Sequence, residues 1–191
     1  MRADARRNRE RIVDVAGVAI AEQGADASLE EIARRAGVGS ATLHRHFPTR
    51  QALLEAVFTG RVEALCDQAG ALAADLAPRA ALTDWLRAVG RHAAANRGLA
   101  ASLLRGADPS LGRTCHAMIT AAGDELLAAA RRAGDVRADV SIVDLLTLAN
   151  AVALSTEGDP SEADRLLTLA LTGIHPESPT SSTRESYVQH P

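Results

Sequence analysis

The residues of this chain best suited to chemistry sit in the run Ser40-Ala-Thr-Leu-His-Arg-His-Phe47. The hydroxyls of Ser40 and Thr42, the imidazoles of His44 and His46 and the guanidinium of Arg45 are hydrogen-bonding groups of the kind that meet phosphate oxygens and base edges. Read as a helix turning about 100° per residue, the run puts Leu43 and Phe47 on one side. Ala41, Thr42 and Arg45 point away from that side, and Ser40, His44 and His46 lie on its flanks. The outward side is short, polar and basic, on an element small enough to enter a major groove. Its N-terminal end adds a partial positive charge of its own.

Other chemistries find less support. His44 and His46 stand two apart, so on a helix they project about 200° from one another and cannot share one ion. Cys115-His116 lacks a third and fourth ligand at useful spacing and reads as a packed pair, so neither a metal nor a cofactor is expected. All 21 basic residues are Arg, which removes Schiff-base and P-loop lysines. Gly37-Val38-Gly39 has no GK[ST] ending, and neither GxSxG nor HExxH occurs. Nothing in the sequence supports an enzyme.

The elements that must hold the Ser40–Phe47 run are helical. Aromatics are only 2% of the chain, so the core has to be built from Leu, Ala, Val and Ile, which favours closely packed helices. A first helix is expected from about Arg6 to Gln23, with Ile12, Ala16, Ala19 and Ile20 on one face and Gly24 as the stop. Ser28 and Glu31 form a capping-box pattern ahead of Leu29, Ile32, Ala33 and Ala36, and Gly37 closes that second helix within about nine residues. The third helix, Ser40 to Phe47, is stopped by Pro48, and Thr49 caps a fourth. Further helices are expected near 81–96, 98–104, 109–133, 140–155 and 161–174, the last opened by Asp159-Pro160 with Glu162. The chain is therefore read as all-α, with about nine helices.

Two short helices joined by a tight glycine turn make a helix-turn-helix. The stretch SLEEIARRAGVGSATLHRHFPTRQALLEAVF, residues 28–58, resembles the DNA-binding domain of TetR-family transcriptional regulators. Ile32-Ala33, Ala36-Gly37-Val38, Thr42-Leu43, Phe47 and Arg50 occupy the places of that family's pattern, and the likeness extends over residues 6–66. The resemblance implies DNA contacts from Ser28, Ser40, Ala41, Thr42, His44, His46 and Arg50, to which the helix angle adds Arg45. Three positions depart from the pattern: His44 for Tyr, Gly39 for a Ser/Thr cap, and Ala41 for Gly. They bear on which operator is read rather than on how DNA is bound.

Charge is distributed to match. Residues 1–50 carry nine Arg against seven acids, while residues 51–191 carry twelve against seventeen, so a net charge of −3 hides a basic start on an acidic body. Two cysteines without CxxC spacing, no signal peptide and no membrane-length apolar run lead to the expectation of a cytoplasmic, nucleoid-associated protein with no membrane partner.

Residues 67–175 are expected to form a helical ligand-binding and dimerisation domain, and 176–191, rich in Pro, Ser and Thr, a disordered tail. The segments near 140–155 and 161–174 are apolar nearly all round, which calls for cover on most sides. Leu145, Leu146, Ala149, Val152, Leu166, Leu167, Ala170 and Ile174 are therefore expected in a homodimer's four-helix interface. Such a dimer would set two reading helices about 34 Å apart, matching a palindromic operator in double-stranded DNA. The resemblance also implies a small-molecule effector. Trp85, His92, Met118 and Asn150, with Asn96, are the unusual residues that could line its pocket, though Trp85 and Met118 read more readily as plain core. The function expected is a dimeric repressor released by a ligand. The alternative is a helical ligand-binding or interaction protein without DNA binding.

Overall fold

A computed structural model of the chain describes residues 2–96, 109–156 and 159–173, and among these it holds eight α-helices and no strand. They are α1 (Arg2–Gln23), α2 (Leu29–Arg35), α3 (Ser40–His46), α4 (Arg50–Asp75), α5 (Pro78–Ala95), α6 (Pro109–Arg132), α7 (Ile142–Ser155) and α8 (Pro160–Thr172). The expected helix at 98–104, Ile174 and the expected disordered tail lie outside the described residues. No described helix is long and apolar enough to cross a membrane.

Local chemistry sets the boundaries. Gly37 has φ +66°, its N–H donates to the Arg34 carbonyl at 3.1 Å, and the Val38 N–H donates to the Ala33 carbonyl at 3.0 Å. This paired closure needs a left-handed residue, which a side chain disfavours. Thr49 caps α4 by accepting from the Ala52 N–H at 3.0 Å. Asp159 caps α8 by accepting from the Ser161 and Glu162 N–H groups at 2.9 and 3.3 Å, with Pro160 as the first helical residue. α1 starts four residues before the position its apolar spacing predicts. Its first turns are polar and are supported by the Arg7–Asp4 and Arg6–Glu10 pairs at i,i+3 and i,i+4, a signal that apolar periodicity does not register.

Two hydrophobic cores result. One gathers Ile12, Ala16, Ile20, Ile32, Leu43, Phe47, Leu53 and Val57 from α1 to the start of α4. The other gathers Leu65, Ala69, Leu82, Trp85, Leu86, Leu127, Leu145, Leu146, Ala149 and Leu167 from the rest of α4 and from α5 to α8. The expected boundary between residues 66 and 67 falls inside α4, which runs unbroken from one core to the other. Since the helix is continuous, the head (α1–α3 with the first turns of α4) and the body share a rigid strut.

Four side chains assigned to a dimer face belong instead to this second core. Leu145, Leu146, Ala149 and Leu167 are 2, 5, 1 and 3% exposed. On α7 the buried side is Ile142, Leu145, Leu146, Ala149 and Ala153, while Val143, Thr147 and Leu154 face outward. A helix apolar all round does not reveal its inner side from sequence, and the expectation took the wrong one. Val152, Leu166 and Ala170 are half-buried.

Candidate nucleic-acid interface

The head presents one surface suited to a polyanion. Leu43 and Phe47 anchor α3 in the head core at 1 and 2% exposure, and this fixes the rest of the helix. Ser40, Ala41, His44 and Arg45 are exposed, and Thr42 and His46 are half-buried. Gly39 is the N-cap of α3 in extended backbone, without a side-chain cap bond, so the first N–H groups of α3 stay open to an oxygen ligand.

The structure gives two of the expected DNA residues other work and turns one edge of a third inward. Ser28 caps α2: its Oγ accepts from the Glu31 N–H at 3.3 Å and donates to Glu30 Oε2 at 3.0 Å. The reciprocal half of a capping box is not formed, because the Glu31 carboxylate is turned to Arg34 and Arg35, with bonds of 2.7 Å. Those two guanidinium groups hold the Glu31 carboxyl down to about 2. His46 keeps its Nε2 buried with no partner among the described residues, so that edge does not face outward. Arg50 is half-buried, and its Nη1 donates to the carbonyls of Ala25 at 3.1 Å and Ala27 at 2.5 Å. It ties the start of α4 to the turn between α1 and α2.

Sequence reasoning passed over Arg61. Its Nη2 donates to the Gly17 carbonyl of α1 at 2.6 Å, and its Nη1 donates to Oδ1 of Asn96, the C-cap of α5. Spacing along the chain gives no hint of a bond between residues so far apart. Asn96 is 4% exposed and also donates through Nδ2 to the His92 carbonyl at 2.8 Å.

The four expected pocket residues separate. Trp85 is fully buried and donates through Nε1 to the Leu65 carbonyl at 2.9 Å, so it is core and not a pocket wall. His92 and Asn150 meet around a hollow of about 130 Å³ that is also lined by His116 and Thr147, and Met118 lies outside it. That volume is below the range of small-molecule sites. A larger hollow, about 330 Å³, lies between α5, α7 and α8; alanines, Val152 and Leu167 make most of its wall, and Arg87, Arg91, Asp159 and Asp164 also line it.

A short, outward-facing helix on a glycine turn, packed on a three-helix head and joined to a helical body, defines a helix-turn-helix regulator. Residues 12–57 match the model of bacterial regulatory proteins of the tetR family, and residues 77–176 match that of the SbtR-like transcriptional regulator C-terminal domain. The TetR transcriptional regulator SCO0520 of Streptomyces coelicolor is 39% identical over 89% of this chain and 99% of its own, with a TM-score of 0.77. A TetR transcription regulatory protein of Mycobacterium vanbaalenii is 40% identical over 92% and 99%, with a TM-score of 0.74. A gamma-butyrolactone receptor shares the fold at 21% identity, covering 91% of each chain, with a TM-score of 0.61. No curated protein matches. The chain belongs to the TetR family of transcriptional regulators, whose members bind DNA through this head.

Proposed function

We propose that the protein is a homodimeric repressor that binds a palindromic operator in double-stranded DNA and lets go when a small apolar effector enters its body. The observation that carries the DNA half is the face of α3: Leu43 and Phe47 are locked in the core, which leaves Ser40, Ala41, Thr42, His44 and Arg45 toward the outside. Ser40 and Thr42 serve phosphates or base edges, Arg45 a phosphate or a guanine, and Ala41 a thymine methyl. Arg50 and Ser28 act mainly by holding the head in shape.

Dimerisation uses the outer face of α7 and α8, where Val143, Leu154 and Leu169 are 51, 60 and 65% exposed. Half-buried Val152, Leu166 and Ala170 lie on the same two helices. The effector enters the hollow of about 330 Å³ between α5, α7 and α8, whose alanine and valine walls suit a small molecule with an apolar body, while Arg87, Arg91, Asp159 and Asp164, which also line it, can meet a polar end. Release follows if the ligand binds better to a dimer geometry that misplaces the two heads.

The test is a selection of duplexes from a random library by the full chain, followed by binding measured across salt concentrations. Enrichment of a two-fold symmetric site, with affinity falling steeply as salt rises, is expected. Absence of any salt-sensitive duplex binding would leave the alternative, a ligand-binding protein without DNA contact.

A further inference from the structure

Every arginine of the head whose side chain is described can be sorted by what it touches. Arg6 pairs with Glu10, Arg7 with Asp4, and Arg11 donates to Asn8 Oδ1 at 3.0 Å. Arg34 and Arg35 share Glu31, and Arg35 also reaches Glu22 at 3.0 Å. Arg50 is bonded to the Ala25 and Ala27 carbonyls, and Arg61 to Gly17 and Asn96. Two remain with neither carboxylate nor carbonyl among the described residues. One is Arg45, on the outer face of α3. The other is Arg9 of α1, whose guanidinium carbon lies 5.2 Å from the centroid of the Phe47 ring.

This placement matters: a guanidinium held over a ring by cation–π attraction spends no N–H group on a protein acceptor and keeps its donors for other partners. Phe47 is a rigid platform, since it is 2% exposed and packs with the head core directly after α3 ends. Arg9 is exposed, so its free edge meets solvent beside the reading helix. A long side chain held on a ring loses little further freedom when it meets a ligand. The ligand it fits is an oxygen anion, and the reading helix next to it brings a phosphate backbone there.

We infer that Arg9 is a phosphate-contacting residue of the DNA interface, positioned by its cation–π contact with Phe47, and that it grips the strand bordering the groove that α3 enters. This rests on the DNA-binding reading above. It turns the basic start of the chain into a specific contact from the first helix. The contact is with the backbone, so it adds affinity without sequence preference.

The experiment compares the full-length wild type with Arg9→Met, which keeps an apolar, flexible cover on Phe47 but removes the charge, and with Arg9→Lys, which keeps charge but loses the fork. Each is titrated with its selected duplex and with a random duplex over a range of salt. Arg9→Met is expected to weaken both duplexes by the same factor, roughly three- to tenfold at moderate salt, and to flatten the dependence of log K on log salt by about one. Arg9→Lys is expected to restore most of that slope and only part of the affinity. Unchanged affinity and slope in Arg9→Met would reduce Arg9 to a cover for Phe47 and overturn the inference. A changed base preference at constant slope would overturn it as well, by making Arg9 a base reader. If Arg9→Met loses its helical circular dichroism, Arg9→Lys decides: wild-type affinity on both duplexes removes any need for the guanidinium fork over Phe47. A wild type that binds neither duplex refutes the DNA reading itself, a result distinct from all of these.

Discussion

Arg61 of α4 and Asn96 at the end of α5 are joined side chain to side chain, and the same guanidinium holds the backbone of α1 at Gly17. One residue thus links the reading head to the body at the level where the two hydrophobic cores meet on α4. The buried amide of Asn96 is satisfied from two sides, by Arg61 and by the His92 carbonyl. Head and body are therefore joined by a polar tie as well as a helical strut.

Arg61→Met keeps the aliphatic stem and removes every bond of the guanidinium. It leaves the buried Asn96 Oδ1 without its donor, while the Gly17 carbonyl keeps only its bond within α1. A loss of about 1–3 kcal/mol is expected from stranding such groups, seen as a fall of several degrees in the unfolding midpoint. A double-mutant cycle with Asn96→Ala checks the origin. The two substitutions together should destabilise by clearly less than their sum, because each breaks the same bond.

His92 makes the stability pH-dependent. Burial, and after it the charge of Arg61, pushes the imidazole below its ordinary pKa of 6.5. The unfolded chain therefore takes up a proton at a higher pH than the folded one. Between the two values the unfolded state binds more protons, so stability is full above about pH 6.5 and is lost as pH falls below it. Denaturant midpoints measured at pH 7.5 and pH 5.5 should differ in that sense, and His92→Gln should flatten the difference. The carboxyls that are also lowered, those of Glu30, Glu31, Asp139 and Asp144, act only at more acid pH, because their ordinary values are 4.5 and 3.8.

How far the sequence could be read depended on whether a feature was local. Gly37, Thr49 and Asp159 act on backbone groups within a few residues, and each stands where its residue type predicts. The outward face of α3 was legible for the same reason, since Leu43 and Phe47 leave only one side to bury. α7 is different. With Leu145 and Val143 both apolar, composition cannot say which one meets the core, and the answer came from α5 and α6 packing against it. The partners of Arg50 and Arg61 lie 23 to 44 residues away, so no spacing rule could have assigned their work. Arg9 was hidden likewise, because its ring partner sits on another helix.

Gly123 shows how tightly the body is built. A Cβ placed there would lie 2.6 Å from Ile142 Cδ1 and 2.7 Å from Trp85 Cζ3. Trp85 cannot swing aside, since it is fully buried with its indole N–H bonded to Leu65. Gly123→Ala is therefore expected to destabilise the protein by about 1–3 kcal/mol through overpacking, despite the better helix propensity of alanine. Thermal unfolding checks it. An unchanged or raised midpoint would mean that α6 can shift away from α5 and α7 without loss.

Arg50 offers a separation between holding the head and gripping DNA. Its Nη1 is taken up by two carbonyls of the α1–α2 turn, so Arg50→Ala should loosen the start of α2 and weaken duplex binding. A residue that acts by positioning does not neutralise a phosphate. The dependence of log K on log salt should therefore keep its wild-type slope, in contrast to the flattening by about one expected when a phosphate contact is lost. The unfolding midpoint should drop at the same time, because the Ala25 and Ala27 carbonyls lose their donor. A flattened slope with an unchanged midpoint would reverse the assignment and return Arg50 to the phosphate backbone, as its place in the family pattern implies.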